Sequence, residues 1–143
     1  MKKLYVALIP LMLALLFTAC AAEKEDKTEA EETEVIKVEY IQISQEEAKR
    51  IMDSEEDIVI LDVREQDEYD ESHIPGAVLL PYTRVDELAE EMLPDKNKTI
   101  LVYCRSGRRS KVAATSLANL GYTDVREFGG IIDWPYEVTG NDQ

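Results

Sequence analysis

The chain has 143 residues, which is enough for one ordinary domain and not for two. Its composition is strongly acidic, with 30 Asp and Glu against 16 Lys and Arg and a net charge of −14. This balance argues against a nucleic-acid-binding protein, because nothing in the chain would neutralise a phosphate backbone over any length. Hydrophobic residues make up 45% of the chain, so a real core can form.

The N-terminal segment has the pattern of an export signal. Lys2 and Lys3 precede an apolar run over residues 4–17, which is shorter than the roughly 20 apolar residues that a membrane-spanning helix needs. The run ends in the letters LFTAC, which resemble the signal peptides of bacterial lipoproteins, where a cysteine receives a diacylglyceryl group. We therefore predict a signal peptide over residues 1–19 and lipidation of Cys20. The alternative is an ordinary signal peptide that is cut beyond Cys20.

The next segment, from the lipidated Cys20 to residue 34, is acidic and lacks aromatic and large aliphatic side chains, which predicts a flexible tether. The lipid would then hold an exported protein at the outer face of the bacterial cytoplasmic membrane, or facing a periplasm. Residues 35–143 form the predicted globular domain. If Cys20 carries lipid, Cys104 is the only free thiol of the mature chain, and it is either buried and inert or reactive.

The first half of the domain alternates between strand and helix patterns. Alternating apolar residues predict a strand over 38–43, and Ser44 with Glu47 three residues later predicts a capped helix that continues to Met52. The β-branched run 57–63 predicts a strand that is buried on both faces. A short strand is predicted over residues 76–82, where Pro81 stops it.

The second half continues this alternation. The predicted elements are a helix over 84–93 with Thr83 as its N-cap, a turn over 94–98, a buried strand over 99–104, a helix from Arg108 that stops before Gly121, and a strand over 124–128. Strands that alternate with helices imply βαβ crossovers. The predicted fold class is therefore α/β: a three-layer domain with a central parallel sheet flanked by helices.

Cys104 lies where such a sheet binds ligands, at the carboxyl end of a buried strand with a helix shortly after it. Gly107 permits a tight turn, in which successive N–H groups can form an anion-binding nest that lowers the pKa of the thiol. Positive side chains are unfavourable at a helix N-terminus, so the basic residues there indicate function rather than solvation alone. The candidate site has Cys104 as nucleophile and an anion-binding loop made of Arg105, Ser106, Gly107, Arg108, Arg109 and Ser110.

Several motifs resemble those of the rhodanese family over about residues 40–140. They are Asp62-Val63-Arg64, Glu68 with Tyr69, the run His73 to Ala77, the loop Cys104 to Arg109, and Gly129-Gly130 with Trp134. The resemblance implies a sulfurtransferase in which Cys104 takes sulfane sulfur from an anionic donor, thiosulfate or a persulfide, and passes it to a thiol or cyanide. It implies no metal and no organic cofactor. A monomer is the default expectation, and His73 and Arg64 are expected to serve structure rather than catalysis.

Three other functions compete with this interpretation. Some non-catalytic binding modules resemble rhodanese domains but usually lack the cysteine. Cysteine phosphatases and arsenate reductases resemble one another in an arginine at the sixth position after the cysteine, whereas this chain has Ser110 there and Arg109 one place earlier. A thiol-redox role would need a second thiol from a partner. The sequence does not separate that role from sulfur transfer to a protein thiol.

Overall fold

The structure, a computed structural model, describes residues 39–54 and 57–140. They belong to a compact unit formed by Val35–Gln143. The predicted signal peptide over residues 1–19, the predicted lipidation site Cys20 and the tether to residue 34 lie outside the described residues. No helix of the described ranges is long and apolar enough to cross a membrane.

A five-stranded sheet forms the centre of the domain. Its strands are β1 (Ile41–Gln42), β2 (Ile58–Asp62), β3 (Val78–Leu79), β4 (Thr99–Cys104) and β5 (Asp124–Gly130). They lie in the order β1-β5-β4-β2-β3, and every neighbouring pair is parallel. All carboxyl ends therefore meet at one edge, which is the edge where Cys104 ends β4.

The helices lie on both faces of this sheet. They are α1 (Gln45–Ser54), α2 (Gln66–Glu71), α3 (Val85–Met92) and α4 (Arg108–Asn119), with two short 3-10 turns at Tyr82–Arg84 and Ile131–Asp133. The predicted α/β class with a parallel sheet and flanking helices is confirmed.

The side chains of β4 alternate between two apolar clusters, as the pleat of a buried strand requires. Ile100, Val102 and Cys104 pack with α3 and α4. Leu101 and Tyr103 pack on the opposite face with α1 and with Trp134. Every residue of β4 from Ile100 on is buried, so Cys104 is held by a strand that is covered on both faces.

Two local predictions differ from the structure. The predicted N-cap Thr83 is wrong, because residues Tyr82–Arg84 form a 3-10 turn and Arg84 occupies the cap position of α3 without a side-chain hydrogen bond. Helix α2 was not predicted, because its six residues carry no apolar stripe; Glu65 and Glu68 cap its start reciprocally. The predicted cap of α1 is present, since the Glu47 N–H donates to Ser44 Oγ at 3.0 Å.

Candidate active site

The thiol of Cys104 lies under the loop that joins β4 to α4. Cys104 is only 1% exposed. Gly107, with a φ of 92°, takes the left-handed backbone conformation immediately before α4 begins at Arg108. Few other residues adopt this conformation without strain, so the glycine allows the chain to turn back over the sulfur within three residues.

Backbone N–H groups of the loop point towards this sulfur. The Gly107 N–H donates to Cys104 Sγ at 3.1 Å. Burial raises the pKa of the Cys104 thiol, but its hydrogen bonds with the Ser110 side chain and with the backbone of Ser110, Ser106 and Gly107 outweigh burial and leave the pKa below its ordinary value. A thiol with a lowered pKa carries more of the nucleophilic thiolate at neutral pH.

Ser110 points inward, away from solvent, and joins the thiol to a buried carboxylate. The Cys104 thiol lies 3.5 Å from Ser110 Oγ, and the Ser110 hydroxyl donates to Glu127 Oε1 at 2.6 Å. Glu127 is 2% exposed and also accepts from the Gly129 N–H at 2.9 Å and from Gln42 Nε2 at 3.1 Å. Sequence reasoning missed Glu127, although its spacing of two from the apolar Val125 places both side chains on one face of β5.

The three arginines of the loop have different environments. Arg109 forms a two-pronged ion pair with Glu68, with distances of 2.6 and 2.7 Å. Arg109 holds the pKa of Glu68 down to about 2. Arg105 and Arg108 are exposed, and within the described ranges neither forms an ion pair. The positive charge that remains available to an anion near the loop therefore belongs mainly to Arg105 and Arg108.

The glycine pair at the end of β5 forms the floor of the loop. A Cβ atom on Gly130 would lie 2.2 Å from the backbone oxygen of Arg105, a distance that no real contact allows. The same oxygen accepts from the Ile132 N–H at 3.2 Å. The loop therefore contacts the backbone of Gly130 directly, and this close approach requires glycine at position 130, whereas Gly129 has a positive φ of 96°.

The other motif residues support the architecture around the site. Arg64 pairs with Asp62 through Nη2 at 2.6 Å, and both side chains are buried. As expected for a structural arginine, Arg64 also donates to the backbone oxygen of Ser72 at 2.6 Å. His73 stacks on Tyr69 with ring centroids 3.8 Å apart, and its Nδ1 lies 2.8 Å from the Tyr69 carbonyl oxygen.

Of the predicted site residues, Ser106, Gly107 and Ser110 lie around the Cys104 sulfur. Arg109 is paired with Glu68. Arg105 and Arg108 are exposed. The described part of the chain contains no cluster of three His, Cys, Asp or Glu residues that could hold a metal ion. The chemistry that this arrangement offers is nucleophilic attack by sulfur, with hydrogen-bond donors for a negative charge on that sulfur.

The structure thus places a buried cysteine, with backbone N–H donors around its sulfur, at the carboxyl edge of a parallel sheet. The family model for the rhodanese-like domain matches residues 44–135. The chain therefore belongs to the rhodanese-like family.

Curated relatives agree with this assignment. The chain is 41% identical over 73 residues to the thiosulfate sulfurtransferase PspE of Escherichia coli, covering 51% of this chain and 70% of that protein. It is 42% identical over 94 residues to the putative sulfur carrier protein YrkF of Bacillus subtilis, covering 65% of this chain. This match covers only 50% of the length of the Bacillus protein.

A solved structure titled as a rhodanese with anions from E. coli is also similar. It has a TM-score of 0.55 and 36% sequence identity, and the match covers 58% of this chain and 98% of that one. A thiosulfate sulfurtransferase from Pseudomonas aeruginosa gives a TM-score of 0.65 at 28% identity, covering 73% of this chain and 21% of that chain. These neighbours share the parallel sheet and its flanking helices.

Proposed function

We propose that this protein is a sulfurtransferase that carries sulfur as a persulfide on Cys104. The observation that carries the proposal is the buried Cys104 Sγ with the Gly107 N–H only 3.1 Å away, in a loop whose hydrogen bonds lower the pKa of the thiol. Two relatives that are named thiosulfate sulfurtransferases support it. The donor, the acceptor and the persulfide intermediate are part of the proposal.

In the first step, the Cys104 thiolate attacks the sulfane sulfur of an anionic donor such as thiosulfate. A new S–S bond forms on Cys104, the donor's own S–S bond breaks, and sulfite leaves with the electron pair. The outer sulfur of the persulfide then carries the negative charge. The N–H groups of Ser106, Gly107 and Ser110, which surround Sγ in the resting protein, are the groups that would stabilise this charge.

In the second step, a nucleophilic acceptor removes the outer sulfur and regenerates the thiolate. Cyanide would leave as thiocyanate, and a thiol would leave as a persulfide. Arg105 and Arg108 would attract the anionic donor, because they are exposed next to the loop on an otherwise acidic chain. The cycle is covalent and uses no group beyond the chain and its two substrates.

A cysteine phosphatase is a poorer match to this geometry. The position that would hold its arginine is Ser110, which is fully buried and hydrogen bonded to Glu127. The nearby Arg109 is held by Glu68. No arginine of the described loop is therefore placed to clamp a tetrahedral phosphate from the sixth position after Cys104.

The test is intact-mass spectrometry of the full chain after incubation with thiosulfate. The C20S variant leaves Cys104 as the only thiol, and the C20S/C104S double variant is its matched control. We expect C20S to gain the mass of one sulfur and to lose it as thiocyanate when cyanide is added, while the double variant gains nothing. If neither thiosulfate nor an organic persulfide loads Cys104, the sulfurtransferase proposal fails and a binding module takes its place.

The localisation part of the proposal concerns residues 1–34. We propose that the protein is exported, is lipidated on Cys20, and is anchored by this lipid to the outer face of the cytoplasmic membrane. The pattern of Lys2, Lys3, the apolar run and the letters LFTAC supports it. Metabolic labelling with an alkyne-tagged fatty acid should mark the wild-type chain and not C20S. Equal labelling of both, or of neither, would exclude lipidation at this residue.

A further inference from the structure

The unpaired positive charge of the domain is concentrated beside Cys104. Within residues 39–54 and 57–140, each lysine and arginine forms an ion pair with a carboxylate, except Arg105, Arg108 and Lys111. The chain has 30 acidic against 16 basic residues, so carboxylates for further ion pairs are in excess. The fold nevertheless leaves these cations without a partner, and all of them lie in the short stretch after Cys104.

One side of α4 extends this charge away from the loop. Arg108, Lys111, Val112 and Thr115 are all exposed, and their spacing places them on the same side of the helix. Val112 is 48% exposed although it is apolar. Arg108 and Lys111 lie one turn apart, where like charges on a helix repel each other. An anionic partner would remove this repulsion.

An apolar side chain also borders the loop. Ile132 is 61% exposed, which is the largest exposed fraction among the large hydrophobic side chains of the described ranges. Its N–H donates to the Arg105 carbonyl oxygen at 3.2 Å, so Ile132 lies directly beside the loop. A single exposed isoleucine is ordinary. Apolar side chains beside unpaired arginines, however, are a combination that protein–protein interfaces favour.

This surface is larger than a small anion needs. We call it the basic rim, and it consists of Arg105, Arg108, Lys111, Val112 and Ile132. Lys111 and Val112 lie roughly 5 and 6 Å further along the axis of α4 than Arg108. A donor such as thiosulfate has no apolar part and would leave Val112 and Ile132 in water. An anionic membrane fits less well than a protein, because the net charge of −14 opposes approach to such a surface.

We propose that the basic rim is the docking surface for the sulfur acceptor, and that this acceptor is an acidic protein whose cysteine lies among carboxylates and apolar side chains. The partner's thiolate attacks the outer sulfur of the Cys104 persulfide. An S–S bond forms on the partner, the S–S bond on Cys104 breaks, and Cys104 leaves as a thiolate with the electron pair. The step needs no oxidant or reductant. Charge complementarity steers the partner to the loop, and the apolar contacts hold it there.

The inference rests on the proposed function, because it names the class of acceptor. Its first test involves no sulfur transfer: a short synthetic peptide with glutamates and leucines around a central serine binds to the full-length C20S/C104S chain, measured by fluorescence anisotropy. A matched peptide has glutamines in place of the glutamates. We expect the acidic peptide to bind about tenfold more tightly, and the difference to shrink at high salt. Equal binding of the two peptides overturns the proposal.

A double variant locates the binding on the basic rim. Lys111→Gln/Ile132→Gln changes only exposed side chains, and we expect it to weaken binding of the acidic peptide about tenfold. The control Arg50→Gln/Val138→Gln removes the same charge and a similar apolar surface from exposed positions outside the rim. Its binding should stay within about twofold of the parent chain. Equal weakening in both double variants contradicts a docking surface at the rim.

The second test measures transfer with the same peptides, now with cysteine in place of the central serine, on C20S that has been loaded with sulfur. We expect faster removal of sulfur by the acidic peptide than by its glutamine match, and loss of this preference in Lys111→Gln/Ile132→Gln. If Cys104 never loads, the proposed function fails while the binding test stands. Tighter binding of phosphatidylglycerol vesicles than of the acidic peptide, or a dimer of the chain that Lys111→Gln/Ile132→Gln abolishes, would assign the rim to a membrane or to a second copy and overturn the proposal.

Discussion

At the scale of single residues, the pair Glu68–Arg109 joins α2 to the start of α4. Arg109 therefore has a structural partner that the pattern of basic residues alone did not reveal. The side chains are 24% and 16% exposed, so the pair is only partly screened by water. Of the three loop arginines, Arg109 is thus the one most firmly fixed in direction.

Replacing the Glu68 carboxylate should change how the free energy of unfolding depends on pH. The pKa of Glu68 falls from 4.5 to about 2 in the folded protein, so the contribution of Glu68 to stability is complete above pH 4.5 and is lost as the pH falls towards 2. We expect Glu68→Gln to lower the free energy of unfolding at pH 7 by about 1–2 kcal/mol. Chemical denaturation at a series of pH values measures both effects.

In the variant, the loss of stability between pH 4.5 and pH 2 should be smaller than in the wild type. Glu87→Gln is the matched control, because Glu87 pairs with Arg84 at an exposed site. Equal pH dependence in wild type and Glu68→Gln would show that the ion pair does not contribute to stability.

At the scale of secondary-structure elements, the end of β5 fixes the position of the loop after β4. Gly130→Ala should therefore disturb the site from below, because the new Cβ would meet the Arg105 backbone oxygen at 2.2 Å. We expect the variant to lose about 1–3 kcal/mol of stability. We also expect slower alkylation of Cys104, since the loop N–H groups must move away from the sulfur. Thermal unfolding and iodoacetamide kinetics measure the two effects.

Gly121→Ala separates backbone strain from this clash. Gly121 has a φ of 91°, and nothing lies within 4 Å of its added Cβ. This variant should lose stability, by about 1 kcal/mol, without any change in Cys104 alkylation. If Gly130→Ala leaves the alkylation rate unchanged, the floor of the loop is not what positions its N–H groups.

The predicted bounds of an element were correct where the sequence has one continuous apolar run. The apolar run of β4 over Thr99–Cys104 predicts both strand ends correctly. Of the strand predicted over 38–43, the described residues 39–43 contain the short edge strand β1 at Ile41–Gln42. The parallel order of the strands follows from alternation of strands and helices, which is a property of the whole pattern.

The candidate site was predictable only in part. The position of Cys104 and the glycine turn after it are local, so the sequence carries them. The partners of Glu127 are not local: Gln42 lies 85 positions away along the chain and Ser110 lies 17 away. The direction of Arg109 depends on Glu68, which is 41 positions away along the chain. Contacts of this kind arise from strand order and not from a motif.

At the scale of the whole molecule, the net charge of −14 repels an anionic donor, and the cations beside the loop oppose that field. We expect the double variant Arg105→Gln/Arg108→Gln to lower kcat/KM for thiosulfate several-fold at low ionic strength. The loss should shrink at high salt, because screening weakens charges at exposed positions. Steady-state kinetics of wild type and the double variant at two salt concentrations measure this loss in kcat/KM.

The control for this prediction changes the net charge by the same amount elsewhere. Arg50 and Arg84 are exposed residues of α1 and of the 3-10 turn before α3, paired with Glu47 and Glu87. Arg50→Gln/Arg84→Gln should leave kcat/KM for thiosulfate nearly unchanged. Equal losses in both double variants would mean that overall charge, and not the position of Arg105 and Arg108, governs the approach of the donor.

The pairing of β1 with β5 has a consequence for the order of events during folding. Ile41 lies opposite Arg126, so an early segment of the domain has its strand partner only after almost all of the chain is available. Long-range parallel pairing of this kind forms slowly. Gln42 and Gln45 reach Glu127 and Gly130 only once it has formed. The hydrogen bonds that brace this side of the site are therefore among the last to form as the chain folds.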